Sequence, residues 1–310
     1  LLAFYSDHFV LPLPPGHRFP MSKYRALRER VAAELPEIRL VEPDAASTGE
    51  LALAHDPDYI DRVLNGWLDA RAQRVIGFPW SPPMVERSRR SAGATIAACR
   101  QAFADGVAVN LAGGTHHAHR DHGQGYCVFN DVAVAARLMQ AEQGRSRRAP
   151  LDVAIVDLDV HQGNGTAAIL AHDPSVFTLS IHGASNFPFR KEASDLDVGL
   201  PDGTGDDAYL DALDHALAQM LTRFAPRLLI YVSGADAHED DRLGKLRLTR
   251  AGLRERDRRV FALAERLGVP IAVTMAGGYG HDIAVTVDVH VNTVGEALAS
   301  WRRRRTQGAG

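Results

Sequence analysis

Cysteine is nearly missing from this chain. Cys99 and Cys127 are the only two in 310 residues. They form no CxxC pair, and no disulfide framework can be built from them. Long apolar runs are also missing: no window approaches 18 uninterrupted apolar residues, so no membrane-spanning helix is expected. Leu1-Leu2-Ala3-Phe4-Tyr5-Ser6 lacks a charged segment leading into a long apolar stretch, and reads as an edge strand in place of a signal sequence. A cytoplasmic setting is expected. There is no Ser/Gly tract, no long charge block and no repeat at a fixed period, which points to one domain over residues 1–300. Charge of either sign is nearly balanced, 35 Lys and Arg against 38 Asp and Glu for a net of −3. Nothing global attracts nucleic acid or an anionic membrane. The one basic run, Arg302 to Arg305, falls within residues 301–310, which read as a frayed, solvated tail. Oligomeric state is not legible.

What is present is ordinary for a globular protein: 45% hydrophobic and 24% charged residues, enough for a substantial core. Short Val/Ile/Leu-rich runs occur at Val107–Leu111, Val153–Val156, Val176–Leu179, Leu228–Val232 and Ile271–Thr274. Each is apolar nearly throughout, as in strands covered on both faces. Helical periodicity lies between them, near 84–105, 129–143, 207–223 and 249–267. Asp56-Pro57 offers an N-cap and an N1 proline before Tyr59, Ile60, Val63 and Leu64. Thr249 offers another before Leu253 and an arginine-rich helix face. The alternation implies an α/β fold: a mostly parallel central sheet, right-handed crossovers and helices on both faces.

Ligands of such sheets bind outside the carboxyl ends of the strands. The first run is followed by Gly113-Gly114-Thr115-His116-His117, the second by Asp157-Leu158-Asp159-Val160-His161. The fourth leads into Ser233-Gly234-Ala235-Asp236, and the fifth into Gly277-Gly278-Tyr279. In Asp157-x-Asp159-x-His161 a spacing of two puts three side chains on one face of an extended segment. Adjacent carboxylates repel unless a cation or proton joins them. With His161 they make a mixed oxygen and nitrogen metal site, and Asp236 can add a ligand from another strand. Two carboxylates and one imidazole leave a coordination position open, which is the catalytic pattern. The plainer alternative is a hydrogen-bonding turn with Asp236 as a helix cap.

The His116-His117 pair could take a proton from water and return one to a leaving amine. Asp157 and Asn164 are the natural partners for the second ring nitrogens. His119 and His122 read as a solvated loop. Tyr279, after two glycines, could aim its phenol at a developing oxyanion.

In this order these motifs, with Gly125-Tyr126-Cys127 and Asp157 through Gly165, resemble those of histone deacetylases. The likeness runs from about Tyr5 to about Leu298 and takes in Gly16 to Met21 and His55 to Tyr59. His161-Gln162-Gly163-Asn164-Gly165 and Asp241-Arg242-Leu243-Gly244 resemble the bacterial deacetylase-like amidohydrolases nearest to class IV. The resemblance implies an arginase/deacetylase-type fold, with zinc on Asp159, His161 and Asp236 and an acid–base pair in His116 and His117. It implies Tyr279 as the carbonyl-polarising phenol, and Gly125, Tyr126 and Gly278 along the acyl tunnel. A structural potassium ion near Asp157, Asp159 and Ser180, and the carbonyls of His161 and Ile181, is implied too. The substrate class is an acylated amine or acyl-lysine.

Three departures stand out. Tyr126 replaces the usual Phe, Asn164 replaces the Asp of class I enzymes, and His238 follows Asp236 by two residues at a position that could face the pocket. A neutral amide should leave His117 less basic than a carboxylate would. Residues 77–90 are expected to form a rim loop. Ferrous iron would suit the same ligands. A two-metal ureohydrolase on this fold would need acids where His238 and Gly163 stand. A non-catalytic sensor of an acylated ligand would be expected to lack the His pair or the phenol.

Overall fold

The computed structural model describes residues 1–144 and 150–307. In chain order the elements are β1 (Leu2–Phe4), α1 (Ser22–Glu34), β2 (Arg39–Val41), α2 (Thr48–Leu51), α3 (Pro57–Asn65), α4 (Ala70–Ile76), α5 (Pro82–Asp105) and β3 (Val107–Asn110). There follow α6 (Asp131–Gly144), β4 (Val153–Asp157), α7 (Asn164–Leu170), β5 (Val176–Gly183), β6 (Leu196–Leu200), α8 (Asp206–Arg223), β7 (Leu228–Ser233), α9 (Arg250–Leu267), β8 (Ile271–Met275) and α10 (Ile283–Gln307). The eight strands form one sheet in the order β2-β1-β3-β8-β7-β4-β5-β6, and every pairing is parallel.

Successive strand residues face opposite sides, so an apolar run feeds two cores. Val107, Val109, Leu229 and Tyr231 pack with α1, α8, α9 and α10 on one side. Ala108, Leu228 and Ile230 pack with α3, α5 and α6 on the other. That is why the strands read as continuous and not alternating. Helix starts follow local chemistry: Ser81 Oγ accepts from Met84 N at 3.2 Å, with Pro82 at the first helical position. Thr249 Oγ1 accepts from Gly252 N at 3.0 Å. Asp56 stands at the N-cap of α3 without a capping bond; its carboxylate takes Arg120 at 3.2 Å instead.

Three expectations are corrected. The first strand is not an edge: β1 lies between β2 and β3, and the edges are β2 and β6, both short and partly exposed. Residues 77–90 are not one loop, because α5 begins at Pro82. Nor is the basic run frayed, since α10 continues through it to Gln307. Arg302 pairs with Glu37 and Arg303 with Glu265, while Arg305 lies over the Trp301 ring at 4.8 Å. Pairing at the last turn, where cations also suit the helix dipole, keeps these arginines helical. Gly308 to Gly310 lie outside the described residues. Among the described residues no helix is long and apolar enough to cross a membrane.

Candidate active site

The strands β3, β8, β7 and β4 are neighbours in that order at the middle of the sheet. Their carboxyl ends deliver the four motif loops to one cavity, which His116, His117, Asp159, His161, Asp236 and Tyr279 all line. Ligand atoms of Asp159, His161 and Asp236 lie within 4.8 Å of one another, and all three residues are buried. His161 Nδ1 is 3.0 Å from Asp159 Oδ1 and 3.2 Å from Asp236 Oδ2. Ligands about 2.0 Å from a tetrahedral ion are spaced about 3.3 Å apart, so this donor set fits zinc. Asp236 Oδ1 accepts from Val160 N at 3.0 Å, whereas its Oδ2 is buried with no hydrogen-bond partner. A buried carboxylate oxygen without a donor is costly. A cation removes that cost, and the residues present therefore fit a bound metal. Burial, and then the neighbouring Asp159 charge, push the Asp236 carboxyl up to about 7. The backbone must come close here: a Cβ on Gly277 would lie 1.7 Å from Asp236 Oδ2. Gly277 N instead donates to Asp159 Oδ2 at 2.7 Å.

The two histidines are differentiated by their partners. His116 Nδ1 sits 2.6 Å from Asp157 Oδ2, and His117 Nδ1 sits 2.7 Å from Asn164 Oδ1. Burial opposes charge on His116, but the Asp157 and Asp159 carboxylates outweigh it and raise its pKa to about 9. For His117 burial dominates, His116 and His161 add repulsion, and the pKa falls well below 6.5. Two titratable groups pushed apart in this way are suited to opposite proton roles. Asp157 also accepts from Asp159 N at 3.1 Å, so one carboxylate orients both His116 and the ligand loop.

Tyr279 faces the same cavity, and its hydroxyl makes no protein hydrogen bond among the described residues. Burial, followed by the Asp236 and Asp159 charges, holds this phenol well above 10. Gly125 and Tyr126 line the cavity, the glycine at φ +54° because a Cβ there would lie 2.8 Å from His117 Cδ2. Gly278 does not line it: the chain turns at φ +152°, and the residue packs toward Thr286 and His290. His238 is outside the cavity as well, its Nδ1 accepting from Asp240 N at 3.1 Å. His119 and His122 stack on each other with ring centroids 4.4 Å apart. Asp157 and Ser180 are register partners on β4 and β5, and Ile181 follows on β5.

Three residues that sequence reasoning passed over hold the site together. Asp131 accepts from Gly114 N at 3.0 Å and Thr115 N at 2.7 Å, fixing the turn that presents His116. Lys23, buried on α1, donates to Ala276 O at 3.1 Å and Gly278 O at 3.4 Å. Arg256 belongs to the arginine-rich helix α9 and is fully buried. It donates to Gly234 O at 2.7 Å and Leu158 O at 3.2 Å, and pairs with Asp257 at 2.8 Å. It thus ties together the loops that carry Asp159 and Asp236. No local signal distinguishes such an arginine from its exposed neighbours. Arg256→Met leaves Asp257 as an uncompensated buried charge, and should cost about 3–5 kcal/mol of stability. Urea unfolding beside wild type checks this, and a shift under about 1 kcal/mol would deny Arg256 its structural role.

The chain is similar to known proteins over most of its length. A family model described as a histone deacetylase domain matches residues 17–294. An uncharacterised protein of Picosynechococcus sp. is 44% identical over 282 residues, covering 90% of this chain and 92% of its own. Histone deacetylase 2 of Arabidopsis thaliana is 32% identical over 274 residues, 85% of this chain and 70% of that protein. The crystal structure of the HDA15 HD domain superposes with a TM-score of 0.78 at 23% identity, covering 96% of this chain and 91% of that one. That likeness identifies the fold as the arginase/deacetylase type, as the resemblance in the motifs implied. With the family model spanning nearly the whole chain and every motif loop meeting at the same cavity, the chain belongs to the histone deacetylase family.

Proposed function

We propose that this protein is a zinc-dependent deacylase that hydrolyses the amide of an acylated amine or acyl-lysine to a free amine and a carboxylate. One observation carries the reading: Asp236 Oδ2, which accepts no hydrogen bond, lies against His161 and Asp159 in a cavity shared with two polarised histidines and a free phenol. Family membership supports deacetylase-type amide hydrolysis, and the donor set supports zinc. Ferrous iron is compatible with the same ligands. A potassium ion near Asp157, Asp159 and Ser180, completed by the carbonyls of His161 and Ile181, is part of the proposal.

Asp159, His161 and Asp236 would hold the metal, which supplies polarisation of the acyl carbonyl and a lowered pKa for attacking water. His117, kept neutral by burial beside Asn164, takes the proton of the water that adds to the carbonyl carbon. Tyr279 donates to the oxygen that turns negative as the carbon becomes tetrahedral. His116, charged beside Asp157, returns a proton to the departing nitrogen, and the C–N bond breaks. Nothing in this scheme requires nucleic acid or a membrane, and a cytoplasmic setting belongs to the same reading.

The test is amine release from a panel of acyl-lysine and acyl-polyamine substrates, before and after removal of metal with a chelator. Turnover lost to the chelator and restored by one equivalent of zinc is the expected result. Full turnover in protein verified as metal-free would overturn the metal-dependent reading.

A further inference from the structure

The wall of the active-site cavity includes a cation that the chemistry above does not use. Arg87, on α5, lines the same cavity as Asp159 and Tyr279. The residue is 8% exposed. Nη1 is buried with no partner, and among the described residues no hydrogen bond or ion pair reaches this guanidinium. The Tyr24 ring lies 4.3 Å from its Cζ. That contact is worth about 2 kcal/mol when desolvated, whereas an unpaired buried ion costs several. Arginine cannot escape the cost by losing its proton.

The position is ordered relative to the chemistry. Lys23 Nζ lies 5.4 Å from the Tyr279 ring and 5.2 Å from the Tyr24 ring. Arg87 and Lys23 thus share the Tyr24 ring, 4.3 Å from the guanidinium and 5.2 Å from the ammonium. Lys23 already serves the carbonyls of Ala276 and Gly278, so the free donors belong to Arg87. Met84, Arg87, Ser88 and Ser91 fall at helical spacings of three, four and seven and all line the cavity, which turns one stripe of α5 inward. The space open to water-sized groups is about 60 Å³, which suits a short acyl group.

We propose that Arg87 is a specificity residue that receives the terminal carboxylate of a short dicarboxylic acyl group, so that the preferred substrate is an amine acylated by an acid of the succinyl or glutaryl type. This rests on the deacylase reading above. Water adds to the amide carbon, the C–N bond breaks, and the products are a dicarboxylate and an ammonium ion with no oxidant or reductant involved. Throughout, the distal carboxylate stays on Arg87, whose planar guanidinium matches it in two-point geometry.

The experiment compares kcat/KM for succinyl-, glutaryl-, butyryl- and valeryl-lysine peptides in wild type, Arg87→Met and Arg87→Lys. A ratio of two substrates on one preparation is independent of the folded fraction, so partial misfolding of a variant does not blur the result. Wild type should favour the acidic acyl groups over the neutral ones by about tenfold or more. Arg87→Met should lower that ratio by about 10–100-fold, and Arg87→Lys should keep part of it. No acidic preference in wild type, or a ratio unchanged in Arg87→Met, overturns the assignment. If no peptide is turned over, the deacylase reading fails by itself, and calorimetric binding of succinate against butyrate to the protein as purified decides for Arg87. Selective succinate binding that Arg87→Met abolishes supports the site; equal binding of the two acids rejects it.

Discussion

On the proposed metal-dependent reading, Asp236→Asn should abolish metal binding and slow amide hydrolysis by more than about a thousandfold, because the ion would contribute several kcal/mol to the transition state. The amide variant separates binding from folding. Asp236 Oδ1 accepts from Val160 N, and an asparagine oxygen can do the same, so no backbone donor is orphaned. The oxygen that changes character is Oδ2, which accepts no hydrogen bond and lies 3.2 Å from His161 Nδ1. The fold loses the contact of Oδ2 with His161 Nδ1 at 3.2 Å, but the carboxylate is disfavoured on balance. In the absence of a cation the carboxyl is already pushed up to about 7, first by burial and then by Asp159. A group with a raised acid pKa contributes stability at low pH that is lost as pH rises through the folded value. Removing its charge should therefore leave the metal-free protein at least as stable at pH 8, even as metal content falls from one ion per chain toward none. Metal analysis, unfolding and amine release on the same preparation give three separate readouts. A variant that retains one ion and full turnover would take Asp236 out of the ligand set.

How much of this was legible in the chain depends on whether a residue's role is local. The five apolar strands were readable because burial on both faces removes polar residues from them altogether. β2, β6 and β1 were harder: three- to five-residue segments carry too little periodicity to separate edge from centre, and only pairing fixes their rank. The basic end illustrates the opposite error. A run of arginines has no apolar pattern, yet pairing with Glu37 and Glu265, residues distant in sequence, keeps it helical to Gln307.

In the site, residues that sit directly after strands were found from spacing. Asp159, His161 and Asp236 meet because β4 and β7 are adjacent and in register, and the His pair meets them across β8. Supporting residues were missed. Asp131, Lys23 and Arg256 act on backbone groups of other elements, and a side chain that hydrogen-bonds to a distant carbonyl leaves no spacing signature. Gly278 was misplaced for a related reason: whether a glycine faces the cavity or its wall depends on one dihedral, here φ +152°, which composition does not encode.

Tyr279→Phe should reduce kcat by about 10²–10³-fold while leaving metal content, fold and KM nearly unchanged. The ring is positioned by contacts that do not involve its oxygen. Tyr279 N donates to Asp241 Oδ2 at 2.6 Å, and its carbonyl accepts from Arg242 Nε at 2.8 Å. Tyr126 and Phe19 flank it with centroids 6.0 and 6.4 Å away. Because the hydroxyl has no protein partner among the described residues, deleting it should leave no buried group unpaired. The loss should fall on the transition state, where an anionic oxygen gains more from a phenol donor than a neutral carbonyl does. Since burial and the Asp236 and Asp159 charges hold this phenol well above 10, it remains a donor at any practical assay pH. The variant should accordingly lower the rate without reshaping its pH profile. A fall in rate that came with loss of metal would instead assign Tyr279 to holding the Gly277 turn against Asp159, and an unchanged kcat would remove it from the chemistry altogether.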